Sequence, residues 1–183
     1  ITDPAKVRDP LNSIMTFLKF FSNKELFNFM MERLGASKAE LSIGSLLNAL
    51  PPFTTTGAFS TVAKMHVKHT DYALMKTKYE EALKATFPPS FLKNSEIKSY
   101  EIRQTEGLVE RIGMGPEFRT GLCKGGLKVV FKAEDEEDLG YMWFRPSGTE
   151  PVLRVLVDLK GNKKALHDNL IEYQRALIEI ADN

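Results

Sequence analysis

A chain of 183 residues has room for one domain, or for one domain joined to part of another. With 43% hydrophobic and 27% charged residues it has the makeup of a soluble globular protein, and a formal net charge of +1 gives no global electrostatic case for nucleic acid or an anionic membrane. The single cysteine, Cys123, excludes an internal disulfide and fits a reducing cytoplasm, and no apolar run reaches bilayer-spanning length.

From the N-terminus, Asp9-Pro10 reads as a helix start, with Asp as N-cap and Pro in the first turn. Leu11, Ile14, Met15, Leu18 and Phe21 recur at helical spacing, and Phe17 and Phe20 widen the stripe. Ser22-Asn23-Lys24-Glu25 fits a capping box opening a second helix, apolar on most sides, which Gly35 would stop. Two helices this apolar need cover. Core packing explains them better than a membrane surface, because the polar face is not strongly basic. A chain that does not begin with Met raises the expectation of an excised segment whose missing part supplies that cover.

Leu41 to Leu50 suggests one more short helix before Pro51-Pro52. Phe53 to Gly57 reads as a turn and Ala58 to Val67 as a strand. His66 and His69 stand three apart, but no cysteine or carboxylate cluster completes a metal set, so they read as surface histidines. The character changes near residue 70. Thr70 or Asp71 caps a helix carrying Tyr72, Met75, Tyr79, Ala82 and Leu83 inward, with its lysines and glutamates outward, until Pro88-Pro89. The domain boundary is expected here, giving units 1–69 and 70–183.

Residues 96–111 read as one strand, or as a strand with a turn near Glu106-Gly107. Gly113 to Gly126 reads as a long loop in which Arg119 and Lys124 are solvated. Gly126 to Ala133 forms a strand, and Glu134 to Asp138 an acidic hairpin tip rather than a metal site. Trp143 packs in the next strand. After Leu153–Val157, Gly161-Asn162 turns the chain and Asn162 caps a last helix with Leu166, Leu170, Tyr173, Leu177 and Ile180 inward. Helix, clustered strands, then helix argue for an α+β fold: a mainly antiparallel sheet covered on one face.

The most informative stretch is Arg145-Pro146-Ser147-Gly148-Thr149-Glu150-Pro151, a tight loop between Tyr141–Phe144 and Val152–Val157. Arg145 offers a forked cationic donor, Ser147 and Thr149 offer hydroxyls, and Gly148 lets the backbone approach a ligand. Together they suit a phosphate dianion; the plain alternative is a turn with a surface arginine. The stretch, followed by Val152-Leu153-Arg154-Val155, resembles the phosphate-binding loop in the last domain of the α-D-phosphohexomutases, the family of phosphoglucomutase and phosphomannomutase.

The resemblance is sharp over residues 141–158. It implies a TATA-binding-protein-like α+β C-terminal domain over 70–183, and it makes residues 1–69 the tail of a third, sugar-binding α/β domain. It also implies an isomerase that interconverts hexose 1-phosphate and hexose 6-phosphate through a bisphosphate, with this part holding the non-reacting phosphate. Arg145, Ser147, Gly148 and Thr149 match the loop, and Arg154 falls where the family often has another phosphate-facing arginine. The alternative for Arg154 is a surface charge on a strand. The family's phosphoserine, magnesium and sugar-reading loops have no counterpart here, and Ser13, Ser42, Ser45 and Ser60 lack the surrounding pattern. The expectation is therefore no catalytic residue and no metal in this chain, with Mg2+ required only by the full-length enzyme. The expected partners are a hexose phosphate and the remaining domains, in the cytoplasm, without nucleic acid or membrane. The competing reading is a non-catalytic module for another phosphate-bearing ligand.

Overall fold

The structure, a computed structural model, describes residues 10–36, 40–57, 59–119, 125–147 and 151–183. The chain forms two compact units, Ile1–Pro51 and Pro52–Asn183.

The first unit holds helices α1 (Pro10–Ser22), α2 (Lys24–Arg33) and α3 (Ile43–Ala49). Asn23, rather than Ser22, caps α2, its side-chain oxygen accepting the Leu26 N–H at 3.0 Å. Ser22 instead donates to the Lys19 carbonyl in the turn behind it. Gly35 ends α2 at φ +74, where a side chain is strained, and the Ala36 N–H returns to the Met31 carbonyl at 2.8 Å. Ser42 caps α3. Phe27, Met31 and Leu46 are buried, ringed by Phe20, Phe21 and Leu34. Leu11, Ile14, Phe17 and Leu18 remain exposed.

The second unit is α+β. Its seven-stranded sheet runs β1 (Phe53–Thr55), β7 (Val152–Lys160), β6 (Asp138–Pro146), β5 (Gly126–Lys132), β3 (Ser99–Glu106) and β4 (Val109–Ile112), and β2 (Lys64–His66) also pairs with β7. Every pairing among the described residues is antiparallel. Helices α4 (Tyr72–Thr86) and α5 (Lys164–Ala181) share one core with one face of the sheet. Period-two alternation explains the division of faces. Leu127, Val129, Phe131, Met142, Phe144, Leu153, Val155, Val157 and Leu159 meet the helices. Lys128, Tyr141, Trp143, Arg145, Arg154 and Asp158 alternate with them and lie on the opposite side.

Several local expectations change. The segment 53–55 is a strand, because Phe53, Thr54 and Thr55 pair with the end of β7. Among the described residues of 58–67 only Lys64–His66 is strand, preceded by a 3-10 turn at Thr61–Ala63. The compact unit therefore starts at Pro52, ahead of the expected boundary at residue 70. Local composition marks the cap at Asp71, whereas long-range pairing carries 53–55 and 64–66 into the sheet. On α4, Lys76 and Glu80 are buried with Met75, Tyr79 and Leu83. Asn162 does not cap α5; the residue before the helix is Lys163, whose N–H donates to the Thr54 hydroxyl at 2.8 Å. On α5, His167, Gln174 and Ala181 turn inward and Ile180 stays half exposed.

Candidate functional site

The β6–β7 hairpin carries the phosphate-type stretch. Strand β6 runs through Arg145 and Pro146, so Arg145 belongs to the sheet and not to the loop. Register sets Arg145 directly opposite Arg154 and Pro146 opposite Leu153. The Ser147 N–H then closes the hairpin onto the Val152 carbonyl at 2.8 Å. Residues directly opposite in an antiparallel pair point to the same face. Arg145 and Arg154 therefore share the open face, with Ser147 at the mouth of the loop. Arg154 projects away from the buried Leu153 and Val155, as alternation requires. Gly148, Thr149 and Glu150 lie outside the described residues.

Arg145 is exposed, and its guanidinium carbon lies 5.1 Å from the Trp143 ring centre. Lys128 places its Nζ 5.1 Å from the Tyr141 ring and 5.2 Å from the Trp143 ring. The rings hold these cations by their electron-rich faces. The Trp143 indole lies against Gly126, in space that a side chain there would occupy. Burial pushes the Tyr141 hydroxyl up to about 12, and its hydrogen bond to Asp158 adds to the shift. The aromatic partners of Lys128 were not apparent from its neighbours in sequence. Alternation within β6 puts Tyr141, Trp143 and Arg145 on one face, but only strand register brings Lys128 beside them.

Charge is uneven across this face. Toward β3, Arg103 meets Glu101 at 2.6 Å, Asp138 at 3.3 Å and Glu110 at 3.8 Å. Lys132 also pairs with Asp138, and this hydrogen bond, with Arg103 nearby, holds the Asp138 carboxyl below its ordinary range. Toward the hairpin mouth the arginines face each other across the β6–β7 pair.

Three other groups are structural. Arg119, expected on a solvated loop, is buried against Glu80 at 2.7 Å. Gln104 and the Gly115 N–H fill the remaining Glu80 positions. The Thr56 hydroxyl accepts the Val157 N–H at 3.0 Å and lies 2.9 Å from His167 Nε2, whose Nδ1 is 3.2 Å from Asp168. A hydroxyl, an imidazole and a carboxylate in series look like a nucleophilic triad. Here the hydroxyl is buried and bonded to β7 backbone, so it locks β1 to the sheet. His69 binds Asp182, and no group of three or more metal-ligating side chains occurs among the described residues. The described residues also contain no helix long and apolar enough to cross a membrane.

Comparisons with family models, curated proteins and solved structures find no match.

Proposed function

We propose that this chain is the phosphate-binding C-terminal portion of a phosphohexomutase, holding the non-reacting phosphate while hexose 1-phosphate and hexose 6-phosphate interconvert through a bisphosphate. The observation that carries the proposal is the register placing Arg145 opposite Arg154 at the mouth of a hairpin that spells Arg-Pro-Ser-Gly-Thr-Glu-Pro. Two guanidiniums on one face, with Ser147 at the hairpin mouth, match the planar, multiply accepting surface of a phosphate. In this reading the α+β unit is the TATA-binding-protein-like last domain of the enzyme, and the unit Ile1–Pro51 ends its sugar-binding domain. The phosphoserine and Mg2+ chemistry belongs to the rest of the enzyme.

The job asks for strong but reversible binding by fixed charge, without covalent chemistry. Each charge-assisted hydrogen bond contributes about 1.5–3 kcal/mol, offset by the entropy of association. The expected affinity of this chain for a hexose phosphate is therefore millimolar, roughly −4 kcal/mol. Calorimetric titration should find that Arg145→Ala abolishes it; undiminished binding by that variant rejects the site. The purified chain by itself should show no mutase turnover in a coupled assay.

A further inference from the structure

We propose that Trp143 is a positioning residue for this site: its indole holds the Arg145 guanidinium ready for a phosphate without compensating its charge, and Gly126 is the bare position that lets the indole lie there. The inference rests on the phosphate reading of the hairpin and gives a part in it to two residues outside the Arg145–Pro151 stretch.

Strand geometry brings the groups together. Trp143 and Arg145 stand two apart on β6 and so share the open face. The Arg145 guanidinium carbon lies 5.1 Å from the indole centre, close enough for a cation to be held by a ring. Register sets Lys128 of β5 directly opposite Trp143, and its Nζ lies 5.2 Å from the same ring. Gly126, two before Lys128 on β5, is buried and has no side chain. A Cβ there would collide with Trp143 Nε1 and come within 2.9 Å of its Cε2. The indole therefore fills the space that any other residue at 126 would take.

Charge explains why an aromatic ring suits this place. Arg103, Lys132 and Lys160 elsewhere on the sheet each have a carboxylate in ion-pair contact, which engages their donors and offsets their charge. A carboxylate beside Arg145 would compete with phosphate for the same N–H groups. An indole face attracts the guanidinium through its quadrupole, carries no net charge and leaves the in-plane donors free to point at a ligand. Among the described residues neither Arg145 nor Lys128 has a carboxylate in ion-pair contact, and rings hold both. Arg145 is exposed, so without the ring its long side chain would have to be ordered at the moment of binding, at a cost in affinity.

The indole N–H is sacrificed to this placement. Trp143 Nε1 is buried and has no acceptor among the described residues. A buried tryptophan ordinarily aims its N–H at a partner, because an unmet donor is destabilising. Here the bare Gly126 and the two cations set the ring's position, not a hydrogen bond. Such local losses collect at functional sites.

The test is an NMR titration of the 183-residue chain with glucose 6-phosphate, with glucose as the control. It reads affinity and the ring-current shift of the Arg145 side-chain signals, and Trp143 is the only tryptophan in the chain, so its indole signal is unambiguous. Trp143→Leu should remove the ring-current shift and weaken binding about fivefold, whereas Trp143→Phe, which keeps a ring, should stay within about twofold of the parent chain. Gly126→Ala displaces the indole but keeps both Trp143 and Arg145, and it should repeat the Trp143→Leu result. Circular dichroism confirms that the variants fold. If Trp143→Leu binds as well as the parent chain, if Trp143→Phe loses as much as Trp143→Leu, or if Gly126→Ala retains full affinity, the Trp143 inference fails while the phosphate site stands on Arg145→Ala. If the parent chain does not bind glucose 6-phosphate, the phosphate reading fails and takes this inference with it. Glucose moving the indole signal as far as glucose 6-phosphate does also overturns it, because the ring is then a platform for the sugar.

Discussion

Arg119 and Glu80 meet in the interior, their side chains 3% and 4% exposed and 2.7 Å apart. The guanidinium also donates to the Ala73 carbonyl and the Thr77 hydroxyl, tying the segment after β4 to α4. A buried pair is a weak net stabiliser when intact, but removing one partner strands a charge in a poorly solvating medium. Arg119→Met should therefore cost about 3–5 kcal/mol in urea unfolding, and adding Glu80→Gln should recover a good part of it. A single-variant loss below about 1 kcal/mol would contradict the burial of the pair. Neither residue advertises this role in sequence. Arg119 stands among glycines and Glu80 among helical charges, and only the fold brings them together.

Two devices act at the level of elements. Strand β6 carries a bulge at Leu139, since Lys132 pairs with Asp138 and Phe131 with Gly140. Gly140 has φ +149, and a side chain there would meet the Asp158 carbonyl of β7. Any L side chain at Gly140 is therefore strained, by its φ and by that contact. Gly140→Ala should lower stability by about 2 kcal/mol or more, and an unchanged melting temperature would count against the register described.

The second device joins the segment after β2 to the end of α5. Asp182 accepts N–H groups from Lys68 and His69 at 2.9–3.0 Å, and His69 Nδ1 lies 3.2 Å from its carboxylate. Burial works against the charged form, but these donors outweigh it and hold the carboxyl below its ordinary value near 3.8. A carboxyl lowered by folding adds stability above its unfolded value, and the protein loses that stability as pH falls toward the folded value. Thermal unfolding between pH 7 and pH 2 should show this loss beginning near pH 4, with a shallower acid limb for Asp182→Asn. Identical limbs would show that the clasp contributes nothing.

At the scale of the molecule, the sheet and its two helices enclose a single core, and β1, β2 and β7 draw residues from both ends of Pro52–Asn183 into it. That unit should fold by itself. A chain of residues 52–183 is expected to unfold in one cooperative transition, whereas a chain starting at residue 70 loses β1 and β2 and should be markedly less stable. The three helices of Ile1–Pro51 bury only Phe27, Met31 and Leu46 among their described residues, too small a core for independent stability.

Short-range chemistry was readable without coordinates. Asp71 capping α4, the turn between β3 and β4, Gly35 after α2 and the alternation that turns Arg154 away from Leu153 all depend on neighbours a few positions off. So does the β6–β7 hairpin itself. Tertiary structure decided what depends on distant partners: 53–55 as an edge strand, Arg119 under α4, and Trp143 between Lys128 and Arg145. The physical reason is that propensity and capping are energies of adjacent residues, while strand register and burial are set by surfaces that meet only after the chain has closed on itself.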